Sequence, residues 1–168
     1  MKKSHKKVII ISIICVIVAA FAALNVLWYL HYSDFMDYRS VMKTEDVGGE
    51  ISYVLRQNGY KYSIKVPSYL DFGGNLAIVE QNDTDDSGSK PTLLIWPKLF
   101  KEDKFGIMLR SKDEYNTTYQ IYVDKSGNPI FTDDDSEEYK EEIQQILLDN
   151  KTSVDGLIKA MNDVWNIG

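Results

Sequence analysis

Cysteine and histidine are almost missing from this 168-residue sequence: there is one cysteine, Cys15, and there are two histidines, His5 and His31. Cys15 stands inside an apolar run and reads as one more apolar side chain. The chain after it therefore has no disulfide, no thiol nucleophile and no thiolate metal site. With both histidines near the N-terminus, the remainder has no material for a Ser-His-Asp triad or a multi-histidine zinc centre. G-x-S-x-G, a Walker loop and H-E-x-x-H are absent as well. Paired carboxylates are the one catalytic device left, because there are 25 Asp and Glu residues, but no pair stands out. The expectation is a protein that is not an enzyme and that needs neither metal nor cofactor.

Acids are also missing from one end. None precedes Asp34, whereas Lys2, Lys3, Lys6 and Lys7 fall in the first seven residues. The formal net charge of −6 thus hides two regions: from residue 31 onward, 15 of the 19 basic residues face all 25 acids, a balance of −10. A pI near 4.9 speaks against nucleic-acid binding, which leaves a basic footprint. At 44% hydrophobic and 12% aromatic the chain is too apolar for a disordered acidic tail, and it is long enough for one domain with a core.

What is present is a run of 23 uncharged residues, Val8 to Leu30, with mild polarity only at Ser12 and Asn25. As a helix it rises about 34 Å, enough to cross a hydrocarbon core of about 30 Å. Lysines before it and Asp34 and Asp37 after it place the N-terminus in the cytoplasm and the rest outside. Trp28, Tyr29 and Tyr32 then fall at the outer interface. The rival is a cleaved signal peptide with Ala20-Phe21-Ala22 as its cut, against which the apolar character continues through Trp28. A lipoprotein is disfavoured, since Ile13-Ile14 precede Cys15 where a small residue is needed.

The sequence divides into a basic tail (1–7), an anchor (8–30), a juxtamembrane helix or stalk (31–49) and an extracytoplasmic domain (50–168). Thr44 to Gly49 reads as a break. Asn58-Gly59 then marks a two-residue type I′ hairpin between 50–57 and 60–66. Counting outward pairs Gln57 with Tyr60, Leu55 with Tyr62, Tyr53 with Ile64 and Ile51 with Val66, all on one face. Ser52, Arg56, Lys61, Ser63 and Lys65 take the other. Further strands are expected at 75–81, 92–96, 105–111, 117–124 and, shortly, 130–132. Leu93-Leu94-Ile95-Trp96 has the unbroken apolarity of a central strand covered on both faces at least locally. In 117–124, Tyr119, Ile121 and Val123 alternate with Thr118, Gln120 and Tyr122. Asp135 with Glu138 resembles a capping box for a helix with the stripe Tyr139, Ile143, Ile146 and Leu147. A second helix starts near Thr152 or Ser153 and buries Val154, Leu157, Ile158, Met161, Val164 and Trp165. Strands followed by a helix pair make the fold α+β: an antiparallel sheet of six to seven strands with two C-terminal helices on one face or at one end.

Two acidic clusters invite a metal reading. Asp83-Thr84-Asp85-Asp86-Ser87-Gly88 opens like a calcium loop, but its twelfth position is Leu94 and Pro91 intrudes, which favours a solvated loop. Asp133-Asp134-Asp135 with Glu137 and Glu138 is accounted for by helix capping and solubility. More suggestive is the polar face of the hairpin, where Arg56, Lys61 and Lys65 form a basic patch on an acidic domain. If the helices cover the apolar face, that patch and the Thr118, Gln120 and Tyr122 row line an uncovered sheet surface suited to docking a partner; the alternative is ordinary solvated strand faces.

The order of pieces carries a resemblance. After the anchor and hairpin come Gly74-Asn75-Leu76-Ala77-Ile78, Leu94-Ile95-Trp96-Pro97-Lys98, Phe105-Gly106-Ile107-Met108-Leu109 and Tyr119-Gln120-Ile121-Tyr122-Val123-Asp124. In layout this resembles the TipC-type immunity proteins of Gram-positive bacteria, membrane-anchored partners of toxins exported by type VII secretion. The resemblance implies a curved antiparallel sheet whose concave face binds a cognate secreted toxin outside the cell. It transfers no site residue by motif, so the candidate partner-binding set remains Arg56, Lys61, Lys65, Gln120 and Tyr122. The competing expectation is an extracytoplasmic sensor or assembly subunit of a membrane complex, with Ala19, Ala20, Ala22 and Ala23 as a helix-contact stripe.

Overall fold

Residues 2–47, 50–81, 90–110 and 118–165 are described by a computed structural model of the chain. Helix α1 runs unbroken from Lys2 to Arg39. Seven strands follow, β1 Lys43–Val47, β2 Glu50–Gln57, β3 Tyr60–Lys65, β4 Asn75–Glu80, β5 Thr92–Trp96, β6 Lys104–Arg110 and β7 Thr118–Val123, and then helices α2 Glu137–Asp149 and α3 Lys151–Trp165. The strands pair in sequence order, β1 to β7, every pair antiparallel. The architecture is the expected α+β one: a long apolar helix, an open antiparallel meander and two C-terminal helices.

The hairpin at the centre of the sequence argument forms in the expected register. Asn58 and Gly59 both have positive φ, 53° and 80°, as a type I′ turn requires. Gln57 faces Tyr60, Leu55 faces Tyr62 and Tyr53 faces Ile64. That register propagates across the sheet. Tyr53, Ile64, Leu76, Ile95, Phe105 and Val123 form one continuous cross-strand row, and Leu55, Tyr62, Ile78, Leu93, Ile107 and Ile121 form the next. Most of these side chains are buried, and together they make the inner face. Each fully buried aliphatic contributes about 1.5–3 kcal/mol relative to exposure.

All three helices contribute to covering this inner face. Tyr62 Oη donates to Ala160 O of α3 at 3.2 Å, and Tyr119 Oη donates to Glu142 of α2 at 3.0 Å. Ile143, Leu147, Val154, Leu157 and Met161 complete the core. The end of α1 joins them: Phe35 is fully buried, Arg39 donates to Tyr53 Oη at 2.9 Å, and Tyr38 meets Trp165 edge-on at 5.8 Å. Gly74 permits this approach. It has φ +99°, and a Cβ there would lie 2.7 Å from Lys65 O and 3.0 Å from the Phe35 ring.

Four expectations need correction. The break placed at 44–49 is instead a strand over 43–47, whose Lys-Thr-Glu-Asp-Val sequence has the charged character of an edge strand rather than apolar alternation. The short strand at 130–132 does not form; Val123 bridges Pro129 and Ile130 N donates to Tyr122 O, folding this stretch along the β7 edge. The α2 cap is Ser136, which accepts from Tyr139 N, while Asp135 accepts from the Thr132 backbone N–H and hydroxyl. Finally, β5 is covered on one face only: Leu93 and Ile95 are fully buried, whereas Leu94 and Trp96 are half-buried on the other.

Candidate functional site

The outer face is built from the residues that alternate with the core rows. Its middle row is Lys43, Val54, Ser63, Ala77, Leu94, Gly106 and Tyr122, each paired directly with the next. Toward one end of the strands lies the row Arg56, Lys61, Val79, Thr92, Met108 and Gln120. Toward the other lie Lys65 beside Asn75, and Trp96 beside Lys104. Every helix contact named above falls on the inner face, so among the described residues no helix covers this one. All five candidate residues, Arg56, Lys61, Lys65, Gln120 and Tyr122, stand on this outer face. They are not clustered: β2 and β7 are separated by about 24 Å across five strand spacings of about 4.8 Å.

Arg56 is committed to a partner within the chain. Its guanidinium forms a two-pronged ion pair with Glu45 of β1, the longer contact being 3.1 Å. Hydrogen bonding from Arg56 holds the Glu45 carboxyl below the usual carboxylate range, with a further contribution from Lys61, and the same bond raises Arg56. This fork ties edge strand β1 to β2. Lys61 and Lys65 extend the positive character onto β3, and Lys65 is exposed.

The densest part of the face lies at β5–β7 and includes residues outside the candidate set. Trp96 lies over Gly106, where a Cβ would sit 2.9 Å from the indole and 3.3 Å from Ile121 O. Only glycine lets the ring settle on the strand. Tyr122, 48% exposed, lies 6.0 Å from Trp96, and Lys104 Nζ stands 5.7 Å over the Tyr122 ring. Gln120 donates to Tyr122 Oη at 3.4 Å. A cleft of ≈ 710 Å³ opens beside this group, bordered by Tyr122 and Ile130, by the cations Lys104 and Lys125, and by the acids Glu102, Asp103 and Asp124. Trp96 was hidden in the sequence because β5 is apolar on both faces, which conceals which side chains face outward, and Lys104 because it precedes the strand expected at 105–111. The signal that marks them is the hairpin register carried across four strands.

The turn after β7 is held rigidly. Asp124 Oδ1 accepts from the backbone N–H groups of Ser126 and Asn128 at 2.8 and 2.9 Å, and its other oxygen accepts from the Asn128 side chain at 2.9 Å. These bonds, that of the Asn128 side chain foremost, depress the Asp124 carboxyl.

Among the described residues no group of three or more His, Cys, Asp or Glu side chains is placed to hold a metal. The loop 83–88 considered for calcium lies outside the described residues. His31 is buried rather than free at a surface: its Nε2 lies 3.3 Å from Gly73 O, and its ring packs against Phe35 and Phe72. The outer face thus offers a paired aromatic group, Trp96 and Tyr122, with Lys104 beside it. No known protein family, curated protein or solved structure matches the chain.

Proposed function

We propose that this chain is a membrane-anchored immunity protein whose outward-facing domain binds and neutralises a cognate secreted toxin through the outer face of its sheet. The anchor is α1, the one described helix long and apolar enough to cross a membrane; in the cell membrane, the lysines ahead of Val8 orient it with the sheet domain outside. The observation that carries the binding reading is the helix-free outer face with its Trp96, Tyr122 and Lys104 group. A half-buried tryptophan and an exposed tyrosine beside a cation, on a sheet, are among the side chains that dominate binding energy at protein interfaces. Lys61 and Lys65 add charge that speeds capture of an acidic partner surface. The layout resemblance to TipC-type immunity proteins supports the same reading and names the partner class, a toxin exported by type VII secretion.

The test is genetic and biochemical. Deleting the gene sensitises cells to the toxin encoded beside it and to no unrelated toxin, and the full-length protein in nanodiscs captures that toxin. Normal resistance together with absent capture by folded protein refutes the proposal. Replacing residues 8–24 with an unrelated apolar segment separates this function from a role as a sensor or assembly subunit. Immunity survives the exchange, because the segment contributes only anchoring. An assembly role that depends on the Ala19–Ala23 stripe is lost.

A further inference from the structure

The course of α1 defines which end of the sheet lies toward the membrane. Arg39 touches Tyr53 in the middle of β2, Phe35 sits beside Gly74, and His31 approaches Gly73. The helix thus descends along the inner face toward the end of the sheet that carries the β3–β4 loop (66–74) and the β5–β6 loop (97–103). It does not leave the domain there. Trp28 Nε1 donates to Ser68 O at 2.7 Å, Tyr69 Oη donates to Asn25 Oδ1 at 2.6 Å, and Tyr69 packs edge-on against Trp28 at 5.2 Å.

These contacts fix a depth. Asn25 lies five residues before Leu30, about 7.5 Å along the helix axis into the apolar stretch. The stretch from Val8 is about 34 Å long and a hydrocarbon core about 30 Å thick, so sliding the helix shifts the boundary by only a few ångströms. A loop hydrogen-bonded to Asn25 must therefore sit within the headgroup and upper acyl region. The loop has the matching chemistry: Tyr69 is 61% exposed, Leu70 36% and Phe72 43%. On the other loop Phe100 is 78% exposed between Lys98 and Lys101, and this loop shares a groove with Leu30 and Asp34 of α1. Leu70 and Phe100 both adopt left-handed backbone, φ 59° and 61°, uncommon for bulky side chains.

We infer that the two loops form a membrane-docking rim: Tyr69, Leu70, Phe72 and Phe100 insert into the outer phospholipid leaflet around α1, with Lys98 and Lys101 reaching back to the headgroups. This rests on α1 crossing the bilayer, and its occupant is that same bilayer. The Phe100 tip, flanked by Lys98 and Lys101, suits the headgroup–acyl boundary, where the ring is buried and the ammonium groups stay wet; on the other loop Asp71, between Leu70 and Phe72, is turned back onto Gly73 N. The sheet is then held upright against the membrane rather than swinging on a tether. The hairpin tip at Asn58-Gly59, at the opposite end of the strands, points away from the membrane, and the outer face stands roughly along the membrane normal, open to a partner arriving from outside.

The test uses full-length protein reconstituted in vesicles of phosphatidylcholine and phosphatidylglycerol, with an environment-sensitive fluorophore on single cysteines. Phe100→Cys and Leu70→Cys are made in a Cys15→Ser background; Gln120→Cys on the outer face is the aqueous control, and native Cys15 reports the anchor. The fluorophores at 100 and 70 are quenched by lipids with a nitroxide near the headgroup and lose quenching by aqueous iodide, whereas that at 120 shows the reverse. Quenching at Cys15 by a mid-bilayer nitroxide, with positions 100 and 70 as open to iodide as 120, overturns the rim while leaving the anchor intact. Absence of lipid quenching at Cys15 overturns the anchor and the rim together. Agreement between positions 100 and 70 guards against one misfolded variant.

Discussion

Replacing Phe35 with alanine tests whether α1 is part of the sheet domain. Phe35 is fully buried although it belongs to the same continuous helix as the exposed apolar residues before it. Its ring fills the space above Gly74 and Pro67 and meets His31 edge-on at 5.4 Å. Gly74, which faces that ring, has no side chain that could refill the vacated volume. Truncating a buried Phe with limited relaxation costs about 3–5 kcal/mol. Against a typical total of about 5–15 kcal/mol that is a large share, equivalent to a fall in melting temperature of roughly 10–20 °C for a domain of this size. The assay is near-ultraviolet circular dichroism of the full-length protein in nanodiscs, with hydrogen exchange of β3 and β4 peptides as a local readout. Phe21→Ala is the control, since Phe21 is 54% exposed on the apolar stretch and touches none of the core. Phe35→Ala lowers the melting temperature and raises β3–β4 exchange, and Phe21→Ala does neither. Equal stability of the two variants refutes the docking of α1 on the sheet.

Gly106→Leu introduces a side chain where the Trp96 ring already sits; it displaces the indole, costs about 1–3 kcal/mol from overpacking, and blue- or red-shifts Trp96 emission in a Trp28→Phe, Trp165→Phe background. Gly74→Ala sets a Cβ against Lys65 O in left-handed backbone and costs at least about 1–3 kcal/mol in urea unfolding, whereas Gly59→Ala, with open space around it, incurs only the backbone term of about 1 kcal/mol. Ser136→Ala loses the α2 cap and about 1 kcal/mol. Asp124, depressed in the folded state, contributes stability that is complete above about pH 4 and is lost as pH falls through its lowered folded value. Asn128→Ala removes the largest cause of that depression and flattens the acid limb of a urea midpoint-versus-pH curve.

The sheet was readable because one strong local signal fixed a long-range one. Asn58-Gly59 set the hairpin register, and each following strand carried enough apolar alternation to continue it. Where alternation was missing, so was legibility. β1 has no apolar stripe because it lies at the edge, and its strand state is decided by pairing with β2 and the Arg56–Glu45 pair. Pro129 to Thr132 has β-prone residues but only a single bridge to β7. The candidate site was legible by face: Arg56, Lys61, Lys65, Gln120 and Tyr122 share the outer surface. It was not legible by composition, because neither the Glu45 partner of Arg56 nor the seating of Trp96 on Gly106 follows from strand pattern alone. The docking of residues 25–35 onto the 66–74 loop was equally hidden, since it joins segments about 40 residues apart through three side-chain hydrogen bonds.

The central claim is that the outer face of the sheet captures a secreted toxin. The most direct measurement is the affinity of the full-length protein in nanodiscs for the toxin encoded by the neighbouring gene, compared across Trp96→Ala, Tyr122→Ala and Leu148→Ala. Trp96 and Tyr122 stand on the outer face, and Leu148 is 62% exposed on α2. Loss of a central aromatic anchor costs at least about 2 kcal/mol, roughly a thirty-fold rise in Kd. The account predicts that rise for Trp96→Ala and Tyr122→Ala with no change for Leu148→Ala. Unchanged affinity for both outer-face variants, with a loss at Leu148, contradicts it.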